Sequence, residues 1–168
     1  YVIGAGVRHE TILNYRPFID NYNGLIEAVG AIGSPQIRAV ATLGGNIGNA
    51  SPAGDSIAAL MAFDAEIELR SIDSNRIIKL VDFFAGPGKT VLKHNEIITK
   101  IILPKFEGYK SGWKRLGQRR ALAISKVSAA LNISVSKRPN GSFKVNDVKI
   151  ALGAVAPTVL ERQQDLVA

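Results

Sequence analysis

Apolar positions open the chain in a short run, Tyr1-Val2-Ile3-Gly4-Ala5-Gly6, that reads as a strand ending in a turn. From His9 to Tyr22 polar and apolar residues mix at a spacing that predicts one or two short helices broken near Pro17, and Leu25 to Ile32 predicts a small, closely packed helix. Gly33-Ser34-Pro35 ends it, and Gln36 to Val40 reads as an extended lead into a glycine-rich segment. Ile57 to Phe63 predicts a buried helix, with Ser51 as its N-cap and Pro52 as its first helical position. Ala65 to Ser71 alternates as a strand, Ile67 and Leu69 on one face and Glu66, Glu68 and Arg70 on the other. Asp73-Ser74-Asn75 supplies a turn, Arg76 to Val81 the hairpin partner, and Glu96 to Leu103 a further strand closed by Pro104.

From Tyr109 the pattern changes. Gly112 to Leu116, Ala123 to Val135 and Lys144 to Val155 have the length and residue types of long strands, although Ala129-Ala130-Leu131 suits a helix equally well. Asn140-Gly141 between apolar alternations is a strong hairpin signal. The expected fold class is α+β, with a boundary between Pro104 and Lys110 dividing the chain into residues 1–105 and 106–168 and an antiparallel sheet opening the second part. A helix is expected near Glu161. Tyr1 falls inside a strand and is not methionine, which suggests a piece of a longer or processed polypeptide.

Composition narrows the chemistry. A chain of 168 residues that is 46% hydrophobic can bury a real core. No apolar run reaches the roughly 20 residues needed to span a bilayer, and no signal-peptide layout is present, so the default location is cytoplasmic. Zero cysteines exclude disulfides, thiolate-held iron–sulfur clusters within the chain and a cysteine nucleophile, while His9 and His94 have no metal-ligand spacing. Any redox chemistry must therefore come from a bound organic cofactor. The formal charge of +7 is densest at Lys114-Arg115 and Arg119-Arg120, with no nucleic-acid-binding motif beside it; it reads as a solvated face or as attraction for an anionic cofactor or partner.

Three glycine clusters compete as ligand loops. Gly4-Ala5-Gly6 fails the dinucleotide fingerprint because position 9 is His9, and Gly86-Pro87-Gly88-Lys89-Thr90 fails as a P-loop because position 83 is Phe83 and Pro87 lacks an N–H donor. Thr42 to Ser56 remains. Its glycines allow close approach of backbone N–H groups to an anion, and Thr42, Asn46, Asn49 and Asp55 add specific hydrogen bonds.

Ser34-Pro35-Gln36-Ile37-Arg38, Thr42-Leu43-Gly44-Gly45-Asn46-Ile47, Asn49-Ala50-Ser51-Pro52 and Asp55 together resemble the FAD-binding subunit of the molybdenum hydroxylases, which include xanthine dehydrogenases, aldehyde oxidases and aerobic carbon monoxide dehydrogenases. Phe83 to Thr90, Glu96-Ile97-Ile98, Leu103-Pro104 and Lys114 to Ser125 continue the resemblance in order over about 150 residues. The resemblance implies a PCMH-type FAD-binding region followed by a carbon-monoxide-dehydrogenase-flavoprotein-like C-terminal domain. It implies that Thr42, Gly44, Gly45 and Asn46 hold the FAD pyrophosphate and neighbouring groups. Asn49 and Asp55 would bond ribityl or ribose hydroxyls, Ile98 would pack near the isoalloxazine ring, and Lys114 or Arg115 would place a cation near the ring or its access channel.

The resemblance also implies partners: a large subunit with the molybdenum cofactor, a small subunit with two [2Fe–2S] clusters, and NAD or another electron acceptor. Family members carry a second FAD loop, of the Ala-Gly-Gly-Thr type, before the position of Tyr1, and a longer C-terminal domain than the one that stops at Ala168. A fragment that keeps the fold and subunit interface without FAD is the alternative, and a basic nucleic-acid-binding module is a remote third.

Overall fold

The computed structural model describes residues 1–119 and 122–164. Arg120, part of the basic stretch, and the chain end at Ala168 lie outside the described residues. Strand β1 (Val2–Gly4) leads into six short helices: α1 (His9–Leu13), α2 (Arg16–Asn21), α3 (Asn23–Gly30), α4 (Pro35–Arg38), α5 (Leu43–Gly48) and α6 (Asp55–Ala62). Strands β2 (Glu66–Arg70), β3 (Asn75–Lys79), β4 (Phe84–Gly86), β5 (Lys89–Thr90) and β6 (Ile97–Ile102) follow, then the longer β7 (Tyr109–Gly117), β8 (Ser125–Lys137) and β9 (Phe143–Gly153), and finally β10 (Leu160–Gln164).

Two antiparallel sheets form the frame. In the first the order is β1-β6-β2-β3; in the second, β10-β9-β8-β7, each strand pairs with its neighbour in sequence. Helix α6 fills the interior: every residue from Asp55 to Ala62 is buried, as its run of Ile, Ala, Leu and Met requires. It packs on β8 and β9 and against α3. Ile67, Leu69 and Ile101 from the first sheet and Trp113, Ala130 and Ala151 from the second enter one continuous core with Tyr22, Leu25 and Phe63. No helix among the described residues is long and apolar enough to cross a membrane.

Most of the expected elements are present, the Ala129-Ala130-Leu131 ambiguity resolving as strand. Three expectations need correction. Residues 36–40 are not an extended lead: Ser34 caps a helical turn, its Oγ accepting from the Ile37 N–H at 3.3 Å, with Pro35 in the first turn. Ser51 does not cap α6; its Oγ accepts from Ala53 N at 3.3 Å in a turn, and the helix begins three residues after Pro52, at Asp55. Glu161 lies in a strand, where Leu160 to Gln164 completes the second sheet against β9. Glu68, expected on the face opposite Ile67 and Leu69, is also buried there, with Thr99 Oγ1 (2.7 Å) and Lys100 Nζ (2.9 Å) both donating to its carboxylate.

Candidate functional site

The glycine segment is a helix, not an open loop. Thr42 is the N-cap of α5, its Oγ1 accepting from Gly45 N at 3.1 Å. Leu43 N donates to Val7 O (3.0 Å), Gly44 N to Ala5 O (2.9 Å) and Asn46 N to Thr42 O (3.0 Å). The N–H groups of Leu43, Gly44 and Gly45, which a bare first turn would offer to an anion, are thus taken, and Asn46 N makes the first intrahelical bond. Gly44 is glycine because the β1 turn lies against it: a Cβ there would sit 2.6 Å from Ala5 Cβ and 2.8 Å from Ala5 O.

The other predicted residues divide into an exposed strip and a buried clasp. Gly45, Gly48 and Asn49 are exposed along α5, and Ile98 of β6 stands beside them, its Cδ1 3.8 Å from where a Gly48 Cβ would project. Asn46 is half-buried and its Oδ1 accepts from Ser56 Oγ at 2.6 Å. Next to Ser56, Asp55 is 6% exposed; its Oδ1 accepts from Ser125 Oγ (2.6 Å) and its Oδ2 from Arg115 Nη1 (2.7 Å). Burial pushes the Asp55 carboxyl above its ordinary value of 3.8, outweighing the opposing pull of Ser125 and Arg115.

Arg115 also donates to Ala123 O (3.0 Å), and its guanidinium lies 6.0 Å from the Trp113 ring centroid. Lys114, one residue away and so on the opposite face of β7, reaches Glu27 Oε1 at 3.2 Å, while Glu27 Oε2 accepts from Trp113 N at 2.8 Å. Burial pushes Glu27 up, but the Trp113 amide and Lys114 together hold it below the usual glutamate value.

Beside this clasp lies a cavity of about 690 Å³ lined by Glu27, Ser34, Arg38, Trp113, Lys114 and Arg115 among others. Both candidate cations are among its lining residues. Leu122 lines it too, in the left-handed region at φ 52°, with its carbonyl accepting from Arg119 Nε (3.2 Å) and Nη2 (2.8 Å). Glu27 was not singled out in the sequence, whereas Ser34 and Arg38 belong to the Ser-Pro-Gln-Ile-Arg stretch and Ser125 to the Lys114 to Ser125 stretch.

Residues 1–106 match the family described as the FAD binding domain in molybdopterin dehydrogenase. The chain belongs to this family. Among the relatives of this FAD-binding domain is the nicotinate dehydrogenase FAD-subunit of Eubacterium barkeri, 36% identical over 138 residues, which are 79% of this chain and 46% of the relative. Another is the glyceraldehyde dehydrogenase medium chain of Sulfolobus acidocaldarius, 35% identical over 153 residues, 91% of this chain and 52% of the relative. Reconstituted CO dehydrogenase from Oligotropha carboxidovorans superposes with a TM-score of 0.88 at 26% identity, covering 95% of this chain and 54% of that one. The chain spans about half the length of these relatives. The α+β, PCMH-type fold expected from the resemblance is the one observed.

Proposed function

We propose that this chain is the FAD-carrying component of a molybdenum-dependent hydroxylase. In this reading a large molybdenum subunit oxidises the substrate, [2Fe–2S] clusters in a small subunit relay the electrons, and FAD delivers them to NAD or another acceptor. One observation carries it: the FAD-binding-domain match over residues 1–106, whose Thr-Leu-Gly-Gly-Asn helix leads, through Asn46–Ser56 and Asp55–Arg115, to a cationic cavity.

The residues present fit the cofactor. A cavity of about 690 Å³ is within the usual range for ligand sites, and Arg38, Lys114 and Arg115 give it positive charge. Gly45 and Gly48 leave the exposed side of α5 without side chains next to apolar Ile98, the kind of surface a flat ring system accepts. FAD, when bound, supplies the electron-transfer chemistry. Thr42, Gly44, Gly45 and Asn46 are assigned to the pyrophosphate end; with the N–H groups of Leu43, Gly44 and Gly45 engaged, Thr42 and Asn46 act through side chains, Gly45 by keeping the approach open and Gly44 by letting α5 lie against the β1 turn. Asn49 is assigned to ribityl or ribose hydroxyls, and Ile98 to packing beside the ring. Asp55, assigned with Asn49, also fixes Arg115, so that Arg115 and Lys114 place positive charge that favours an anionic ring.

A second reading, a scaffold that keeps the fold and subunit interface without cofactor, draws support from the internal satisfaction of the Leu43, Gly44 and Gly45 N–H groups. The two are separated by purifying the chain, denaturing it and identifying any released flavin. Stoichiometric FAD, or micromolar binding of added FAD, is expected. A preparation that releases none and binds none would leave the scaffold reading in possession.

A further inference from the structure

The second sheet is apolar on both sides. Ala130 of β8 and Ala151 of β9 pair across the strands and enter the core beneath α3 and α6, which makes that side the inner one. Side chains alternate along a strand, so the neighbouring pairs Leu131–Ile150 and Ile133–Val148 project from the outer side. Leu116 of β7, opposite Val127, and Leu160 of β10, opposite Leu152, carry the same surface across the sheet. The inner side, by contrast, holds the buried polar residues Ser128, Asn132 and Lys149. A sheet with one face in water turns its apolar row inward and its polar row outward; here the outer row is the more apolar, the pattern of a sheet covered on both faces.

Leu131 and Ile150, at the middle of the outer face, are each 38% exposed, and Leu116 and Leu160, towards its edges, 62% and 49%. From Val127 to Val135 along β8 and from β7 to β10 across, the face measures about 27 Å by about 19 Å, or about 500 Å². Two such faces in contact enclose about 1,000 Å² before the corrugation of the side chains is counted, which reaches the lower bound of a specific interface. Charge sets the orientation. Lys110 and Lys114, opposite Ile133 and Ala129, stand on the same side of the sheet and rim its β7 edge. A two-fold axis parallel to the strands lays β7 of one copy over β10 of the other, so that the two lysine rows stand at opposite edges and the Leu131 and Ile150 side chains of both copies meet at the centre.

We propose that this chain pairs with a second copy of itself through the outer face of the sheet β7 to β10, forming a two-fold sandwich of two four-stranded sheets. Each copy covers the apolar row of the other, and Lys110 and Lys114 stay at the rim. Asp55 and Arg115 join on the other side of the sheet, so the pairing holds or fails independently of the FAD reading.

The test is the solution mass of the purified full chain, by sedimentation or light scattering, over a range of concentrations. A reversible dimer is expected, half-formed at about 1–100 µM as suits an interface of this size. Sulfate should strengthen it and sodium chloride leave it in place, because apolar burial and not charge holds it. Leu131→Lys puts an unpaired charge at the centre of the contact and should weaken the dimer about 100-fold or more; Ile72→Lys, at a fully exposed apolar side chain between β2 and β3, should leave it unchanged. Unchanged far-ultraviolet circular dichroism shows that Leu131→Lys is folded. If it is not, Leu131→Cys replaces it in a chain that has no other cysteine: a short thiol cross-linker should join these chains in pairs and leave Ile72→Cys chains single. A chain that stays monomeric at about 100 µM overturns the proposal, and if it then sediments with phosphatidylglycerol vesicles the face belongs to an anionic lipid surface instead. A dimer that Leu131→Lys leaves intact, or association without a defined stoichiometry that Ile72→Lys weakens as much, overturns it too.

Discussion

Replacing Arg115 with methionine tests whether the clasp beneath the cavity is an ion pair that the fold depends on. The Arg115 and Asp55 side chains are 12% and 7% exposed, so neither charge is well hydrated. The variant leaves the Asp55 carboxylate with only Ser125 Oγ, 2.6 Å away, to answer it. Removing one member of a buried pair costs about 3–5 kcal/mol, because the survivor must stay charged without a partner or take up a proton. The second route fixes the pH dependence. The folded carboxyl already lies above its ordinary 3.8, and without Arg115 it rises further. A raised folded value means that the protonated form is the one the fold favours. Its contribution is complete below the unfolded value and is lost as pH rises through the folded one, at about 1.4 kcal/mol per unit. The penalty of Arg115→Met should thus be full at neutral pH and shrink on acidification towards 4. Urea denaturation of the wild type, Arg115→Met and the double variant Asp55→Leu with Arg115→Met measures it, the double variant recovering most of the loss because no charge is stranded. A single-variant cost below about 1 kcal/mol at neutral pH, or one equal at both pH values, would refute the reasoning.

Two further perturbations probe other parts of the fold. Gly44→Ala places a methyl group 2.6 Å from Ala5 Cβ and should cost about 1–3 kcal/mol in thermal or urea unfolding; a cost no larger than that of Gly45→Ala, where the nearest contact is Thr42 Oγ1 at 3.0 Å, would show that α5 and the β1 turn separate freely. Glu161 is pushed above its ordinary 4.5 by burial and by Asp64, so its ionisation opposes folding, and the opposition sets in as pH rises above that value. Glu161→Gln should therefore raise the urea midpoint at neutral pH and change little near pH 4; a lower midpoint at neutral pH would mean that Lys149 and Lys79 outweigh Asp64.

How much of this was legible depended on the range over which each signal acts. The second sheet was readable from alternation and from Asn140-Gly141, because a hairpin is specified by its own residues. Ile57 to Phe63 was readable as buried because no polar face interrupts it. The Ser-Pro pair occurs twice with opposite outcomes. Ser34-Pro35 opens a helix, whereas Ser51-Pro52 makes a turn whose Pro52 carbonyl is claimed by the residue that follows β9, Ala154 N donating to Pro52 O at 2.8 Å. Nothing within four residues of Ser51 announces a partner more than a hundred positions away. Glu161 failed for the same reason: Leu160 to Gln164 is a strand because β9 presents an edge to it, and a five-residue window has no strong period of its own.

The candidate site shows the same division in its chemistry. Glycine at position 44 signals that something comes close, and the segment was read as approached by phosphate; in the fold it is Ala5 that comes close. A glycine cannot say which. Asp55 was read as a hydrogen-bonding group of the ligand segment; its partners in the fold, Arg115 and Ser125, lie 60 and 70 residues away, and only folding reveals that its charge is already answered. The same accounting redirects attention to Arg38. A sequence displays every cation equally, and this chain has twenty-one Lys and Arg residues. Subtracting the carboxylates that fall beside Lys114 and Arg115 leaves Arg38 as the cavity cation without an opposite charge among the described residues, a difference that the density of basic residues around Lys114 to Arg119 does not display.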